Sequence, residues 1–387
     1  MAPGPKKPGG IDRRTFLRLS SAALAGTVLP GIEALGAASR ARAGAAVIVR
    51  FGGGVRFSEM WTKAGLRNIP LLSRIARRGT LFSRMYNRGR IDALGGTHHI
   101  LTGAYGWPEW GRRPASPTIF EYARKVLKWS ADAAVVISHR RETDLATFSS
   151  HGDYGPRFGA TRLSPEMVEI AGLREQLRRR GLKENIRKGL QARLTQAEGR
   201  EKPAHDQGDR PLPGHDLESI KRLVKHLSDR RPPAGFAHHG DDQATWFAME
   251  SIATVAPRIL FLTLGGTDRA RTGRWSDYID GIQRCDWLVG KLFGAVQEAD
   301  RYRGRTLFVV VPDHGRRGDD ASGGGFRTYR GADESCKRIG CVIAGPGVPA
   351  GRIVDRPCEQ IDILPTLAGL MGFDAPLAAG KDLRGST

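Results

Sequence analysis

The chain has 387 residues, 40% of them hydrophobic, an ordinary share for a globular protein and enough for one large α/β domain with an insertion or for two domains. Its formal net charge of +21 is far from ordinary and points to anionic surroundings or partners: nucleic acid, acidic glycan, anionic lipid, or a phosphate or sulfate ester. Four cysteines, Cys285, Cys336, Cys341 and Cys358, are too few and too scattered for a disulfide scaffold; Cys336 and Cys341 either bridge or remain two buried thiols.

At the N-terminus, Lys6, Lys7, Arg13 and Arg14 precede Phe16-Leu17-Arg18. A small-residue apolar stretch follows from Leu19 to Leu35, and Ala41-Arg42-Ala43 fits an A-x-A cleavage site. The pattern resembles a twin-arginine export signal, with Asp12 where Ser or Thr is commoner. The stretch is too short and too broken by Gly and Pro to span a membrane stably. The expectation is a signal over residues 1–43, export by the twin-arginine route to the periplasm or cell surface, and one domain over residues 44–387. Residues 1–43 hold seven basic and two acidic residues, which leaves +16 on the rest. The basicity therefore belongs to the folded part, and export makes nucleic acid an unlikely partner.

Strands and helices then alternate. Ala46 to Phe51 reads as a strand ending in Gly52-Gly53-Gly54. Ile69 to Arg77 is helical and Leu81 to Tyr86 a short strand. Thr118 to Trp129 has a helical apolar period after Pro117, and Ala133 to Ser138 is another strand. Arg258 to Leu264 is a strand and Trp275 to Glu298 a long amphipathic helix. Thr306 to Val311 is a buried strand stopped by Pro312. Gly340 to Ala344 is a strand, and Glu359 to Met371 closes the domain as a helix. Such alternation predicts an α/β three-layer sandwich with a mostly parallel central sheet.

Residues 150 to 245 break the rhythm and read as a basic helical insertion over one edge of the sheet. Ser164 to Leu194 reads as helix and carries Arg174, Arg178, Arg179, Arg180, Lys183, Arg187, Lys188 and Arg193. Residues 199 to 215 read as a polar loop and Leu217 to Leu227 as another helix. The basic face is either simply solvated or a surface for a polyanion or an anionic membrane. Aromatic residues are absent between positions 160 and 230, which disfavours a base-stacking groove.

Chemistry concentrates at the carboxyl ends of these strands, where open α/β sheets place ligands. Strand 306–311 ends in Asp313-His314-Gly315, and a carboxylate beside an imidazole suits a divalent metal. Gly95-Gly96-Thr97-His98-His99 reads as a loop entering a helix, with Thr97 in the positive field of the helix start. Strand 258–264 runs into Gly265-Gly266-Thr267-Asp268.

These pieces resemble the alkaline phosphatase superfamily, over roughly residues 45–150 and 255–375. Asp313-His314-Gly315, then Gly345-Pro346-Gly347-Val348, then Asp362-Ile363-Leu364-Pro365-Thr366 is a succession similar to the sulfatase-like branch. The resemblance implies that Thr97 stands at the nucleophile position and that Asp268, Asp313 and His314 are metal ligands. It also implies a two-metal site with about six protein ligands, of which only Asp268, Asp313 and His314 survive. The first strand ends in glycines rather than an Asp. Arg271 and Arg330 stand where His is usual, and no Cys-x-Pro-Ser-Arg sequence exists for a formylglycine.

Arg offers no lone pair to a metal and stays protonated. A guanidinium about 5 Å from a dication costs about 7 kcal/mol at an effective ε near 20. The expectation is one divalent ion or none, zinc or calcium, magnesium or manganese, rather than two. His98, His99 or the His238-His239-Gly240-Asp241-Asp242 cluster would have to complete its site. Arg271 and Arg330 would bind an oxyanion or pair with Asp268. Two functions follow. One is an exported hydrolase of phosphate or sulfate esters using Thr97. The other is a pseudoenzyme that binds an anionic small molecule or acidic polymer, or meets an anionic membrane surface, without turnover.

Overall fold

The computed structural model describes residues 43–106, 112–139, 141–201, 217–237, 240–319, 324–329 and 333–385. The expected signal over residues 1–43 therefore lies almost wholly outside the described residues, as do His238, His239 and Arg330.

One nine-stranded sheet organises the chain. Its central strand is β1 (Ala45–Arg50), flanked in parallel by β5 (Ile259–Thr263) and β6 (Thr306–Val311). Beyond β5 lie β3 (Ala134–Ile137) and the edge strand β4 (Thr161–Leu163). On the other side, β7 (Arg338–Ala344) runs antiparallel to both β6 and β2 (Gly79–Tyr86). The short β8 (Arg352–Val354) and β9 (Cys358–Glu359) add in parallel to β2. The sheet is thus mostly parallel, as the alternating pattern predicts.

The apolar runs are continuous because both faces of the sheet are covered. Val47, Val49, Leu260, Leu262, Phe308 and Val310 form one face, packed by Leu288 and Leu292 of the long helix. Ala46, Ile48, Phe261, Val309 and Val311 form the other, packed by Ile119, Tyr122, Leu364 and Leu367. That long helix spans Trp275–Glu298, the residues its amphipathic period predicts. The helix α1 (Pro70–Ala76) leans on it through Asp286, whose carboxylate accepts the backbone N–H groups of Leu71 (3.0 Å) and Leu72 (2.7 Å). All four cysteines are buried free thiols, which settles the alternative at Cys336 and Cys341. Among the described residues, no helix is long and apolar enough to cross a membrane.

The basic region differs from its expected form. Ser164 to Leu194 is not one helix but two, Pro165–Leu177 and Glu184–Glu201, separated by a turn in which Gly181 takes φ +79°. That left-handed geometry is one Gly adopts without penalty, and it folds the helices into a hairpin. Leu173, Leu190 and Ala197 form the small apolar seam between them. The helix runs on to Glu201, past the expected loop boundary at 199. A further helix, Gly240–Thr254, carries the Asp241-Asp242 pair that the polar spelling presents as part of a possible ligand cluster. The strand β4 is too short, at three residues, to register in an apolar pattern.

Arg162 of β4 ties this hairpin to the sheet. Its guanidinium, almost fully buried, pairs with Asp144 on one side and Glu201 on the other. Glu201 also accepts the Ser164 hydroxyl at 2.8 Å. Removing the middle charge of a buried network leaves its partners uncompensated. Arg162→Met is expected to cost roughly 3–5 kcal/mol of stability in urea unfolding. A loss under about 1 kcal/mol would show that the network does not hold the hairpin.

Candidate functional site

The carboxyl ends of β1, β5 and β6 converge, and the side chains there meet in a fixed pattern. Arg50 is the last residue of β1 and fully buried. Its Nη1 donates to Thr97 Oγ1 at 2.6 Å and to the Ala93 carbonyl at 3.1 Å. Its Nε faces Asp313 Oδ2 at 3.9 Å, and neither atom has a hydrogen-bond partner.

Thr97 sits in the helix Ala93–Thr102. Asp92 starts that helix early by accepting the Gly95 N–H at 2.7 Å. Gly95 to His99 is therefore helical, not the loop its glycines suggest, and Thr97 lies beyond the free N–H groups of the first turn. Its hydroxyl donates to the Ala93 carbonyl one turn back, at 2.7 Å. Gly96 lets the helix approach β6, since a Cβ there would lie 2.5 Å from the Asp313 carbonyl oxygen.

Asp313 is buried and its Oδ1 accepts two backbone N–H groups, from Gly54 and His314, both at 2.8 Å. Its own carbonyl accepts from Asn87 Nδ2 and Gln360 Nε2, each at 3.0 Å. His314 donates from Nδ1 to the Gly315 carbonyl at 2.7 Å, and its ring lies 4.4 Å from that of Tyr329. Asp268, in the short turn after β5, is half-buried against Gly53. Arg271 does not join the site. It is exposed, lies 5.8 Å over the Tyr329 ring, and makes no ion pair with a described residue. A cleft of about 490 Å³ opens beside Asp268. Asp241, Asp242, Asp268, Asp277 and Asp280 line it with Arg269, Arg284 and His139, so among the described residues carboxylates outnumber cations there.

Thr97, Asp313 and His314 thus share one buried region, with Asp268 at its edge. Sequence reasoning missed two residues of that region, Arg50 and Arg316. Arg316 is fully buried and donates to the carbonyls of Gly53 (2.6 Å), Gly54 (2.7 Å), Thr267 (2.9 Å) and Phe326 (3.1 Å). The one sequence signal for Arg50 is that it closes an otherwise apolar central strand, a place where an Arg can face solvent as readily as a buried partner.

Comparison with known proteins agrees with this frame. Residues 221–373 match the family model "Sulfatase". That region is sulfatase-like. The chain is 31% identical over 110 residues to human (Homo sapiens) arylsulfatase D, covering 26% of this chain and 18% of that protein. It is 32% identical over 120 residues to mouse (Mus musculus) steryl-sulfatase, covering 27% and 19%. The matched stretch spans about a fifth of the length of these curated relatives. A solved protein of the alkaline phosphatase superfamily from Vibrio parahaemolyticus superposes with a TM-score of 0.53 at 13% identity, covering 96% of this chain and 78% of that one, which is a likeness of fold.

Sulfatase family proteins generally bind a divalent metal. The described residues of this sulfatase-like protein do not fit one. Among the described residues, no group of three His, Cys, Asp or Glu side chains converges. Asp313 spends Oδ1 on backbone amides and turns Oδ2 toward a guanidinium. A Cβ on Gly53 would lie 2.2 Å from Asp268 Oδ1, so backbone already fills the space before that carboxylate. His98 and His99 do not complete a ligand set either. Both are buried in the helix, and His99 packs edge-on to Tyr105 at 4.8 Å.

Burial lowers His98 to about 3 and His99 to about 4, against a usual imidazole near 6.5. Between pH 6.5 and 4 the unfolded chain therefore binds more protons, so stability falls as pH drops through that window. Asp144 and Asp286, which burial raises to about 6, act in the opposite sense over most of it, from about pH 6 downward. His98→Asn is expected to flatten the decline of Tm between pH 6.5 and 4 relative to the parent protein. An unchanged slope would remove His98 as its source.

Proposed function

We propose that this sulfatase-like protein does not turn over esters and instead binds an anionic partner through the fold. The reading is carried by one observation, the state of Thr97. Its hydroxyl is fully buried, its proton is committed to the Ala93 carbonyl, and its lone pair accepts from Arg50. A nucleophile needs access to its target and a base to take its proton. The ionisable group on this hydroxyl is a guanidinium, which can only donate.

The partner class rests on charge. The turn between the two insertion helices and the start of the second carry Arg179, Arg180, Lys183 and Arg187, none of which makes an ion pair with a described residue. Arg forks suit sulfate, phosphate and carboxylate groups, so an acidic polymer or anionic small molecule is the favoured partner, with an anionic membrane surface as the alternative. The N-terminal pattern supports export by the twin-arginine route, and with it a binding role outside the cytoplasm.

Aryl sulfates and aryl phosphate mono- and diesters, offered to the purified protein, are expected to show no turnover above the buffer blank. Thr97→Ala is expected to behave the same. Turnover that this variant abolishes would instead establish Thr97 as the nucleophile of an active hydrolase. Dextran sulfate is expected to bind, with an affinity that drops as salt rises and drops again in the Arg179→Ala/Arg180→Ala/Arg187→Ala variant.

A further inference from the structure

The site is built around two fully buried guanidiniums, and buried charge must be compensated. We propose that Arg50 and Arg316 are permanent counter-cations of this carboxylate site, standing in the role that a divalent ion serves in sulfatase family proteins, and that the Gly52–Gly54 turn is what admits them. This concerns how the site is held together, and it stands whether or not an ester is ever hydrolysed.

The hydrogen-bond inventory assigns both side chains to the protein itself. A guanidinium has five N–H donors. Arg316 commits four of them to backbone carbonyls, two of these belonging to Gly53 and Gly54. It is not a free clamp for an oxyanion. Carbonyls are neutral, so its charge needs carboxylates close by, and the backbone it grips leads to them: Gly54, whose carbonyl it binds, donates its N–H to Asp313, and Thr267, whose carbonyl it also binds, immediately precedes Asp268. Its guanidinium also lies 5.4 Å over the Tyr278 ring, a face that attracts cations. Arg50 uses both Nη1 contacts on Thr97 and Ala93 and turns Nε to Asp313.

The glycines are the enabling change. Gly54 takes φ +85°, and a Cβ on it would lie 2.4 Å from His314 Cε1. Gly53 has no room for a Cβ beside Asp268. No acidic side chain fits at either position, so the end of β1 supplies two carbonyls to Arg316 and one N–H to Asp313 instead of a metal ligand. The positive charge is then covalently fixed. No chelator removes it.

Metal analysis of the purified protein, with melting curves in EDTA and in added zinc, magnesium, calcium or manganese, tests this directly. The expected result is far less than one divalent ion per chain and a Tm that neither EDTA nor any of the four ions moves. A stoichiometric ion whose removal lowers Tm would overturn the proposal. Arg50→Met and Asp313→Asn supply a second test. Each alone is expected to lower the folding equilibrium constant at least tenfold. The double variant is expected to retain at least tenfold more than the product of the two losses predicts, because neither charge is then left alone. Strictly additive losses would overturn the pairing. Should Arg50→Met fail to fold, the chelator melt of the parent protein still decides. Ester turnover is a separate readout, so failure here and failure of the non-catalytic reading are distinguishable.

Discussion

Asp313 and Arg50 face each other across 3.9 Å in a space that water does not reach, and the surrounding structure is arranged around that charge pair. A carboxylate at the end of a central strand cannot be left alone in a low-dielectric interior. Two backbone N–H groups bind one of its oxygens and a guanidinium faces the other. The same guanidinium reaches across to Thr97 and fixes the helix Ala93–Thr102 against β1. One ion pair thereby joins strand β1, strand β6 and the helix between β2 and β3.

The neighbouring contacts follow from the space this pair requires. Gly96 brings the helix close enough for Arg50 to reach Thr97. Gly53 and Gly54 turn the chain sharply after β1, so that their carbonyls point at Arg316 and the amide of Gly54 points at Asp313. Asn87 and Gln360 hold the Asp313 backbone from the far side. Gly53, Gly54, Asn87 and Gln360 each satisfy a polar group that burial would otherwise leave unpaired. The result keeps the outline of a sulfatase-like fold, with two buried guanidiniums among its site residues.

The fold was legible because its signals are local. Continuous apolar runs such as Thr306-Leu307-Phe308-Val309-Val310-Val311 can only be strands covered on both faces, and the period of Trp275–Glu298 can only be a long amphipathic helix. The hairpin of the insertion was less legible. Its break depends on one Gly at φ +79°, and charged spelling runs unbroken through it. The site was half legible. Asp313 and His314 stand out as a motif, whereas Arg50 and Arg316 are single arginines in a chain with 61 lysines and arginines. Nothing local separates a buried guanidinium from a solvated one.

What the sequence determined alone is the order of the main strands and helices, the basic character, the placing of Asp268, Asp313 and His314 just after strands, and the presence of Thr97 at the entry to a helix. Periodicity and composition carry that information along the chain itself. Which cation meets Asp313 was decided only by tertiary structure, because Arg50 lies 263 positions away from it and the contact depends on β1 pairing beside β6 in register. The state of the Thr97 hydroxyl was decided there too. Its donor, Arg50, belongs to another element, and burial, which fixes what that hydroxyl can do, is a property of the packed whole.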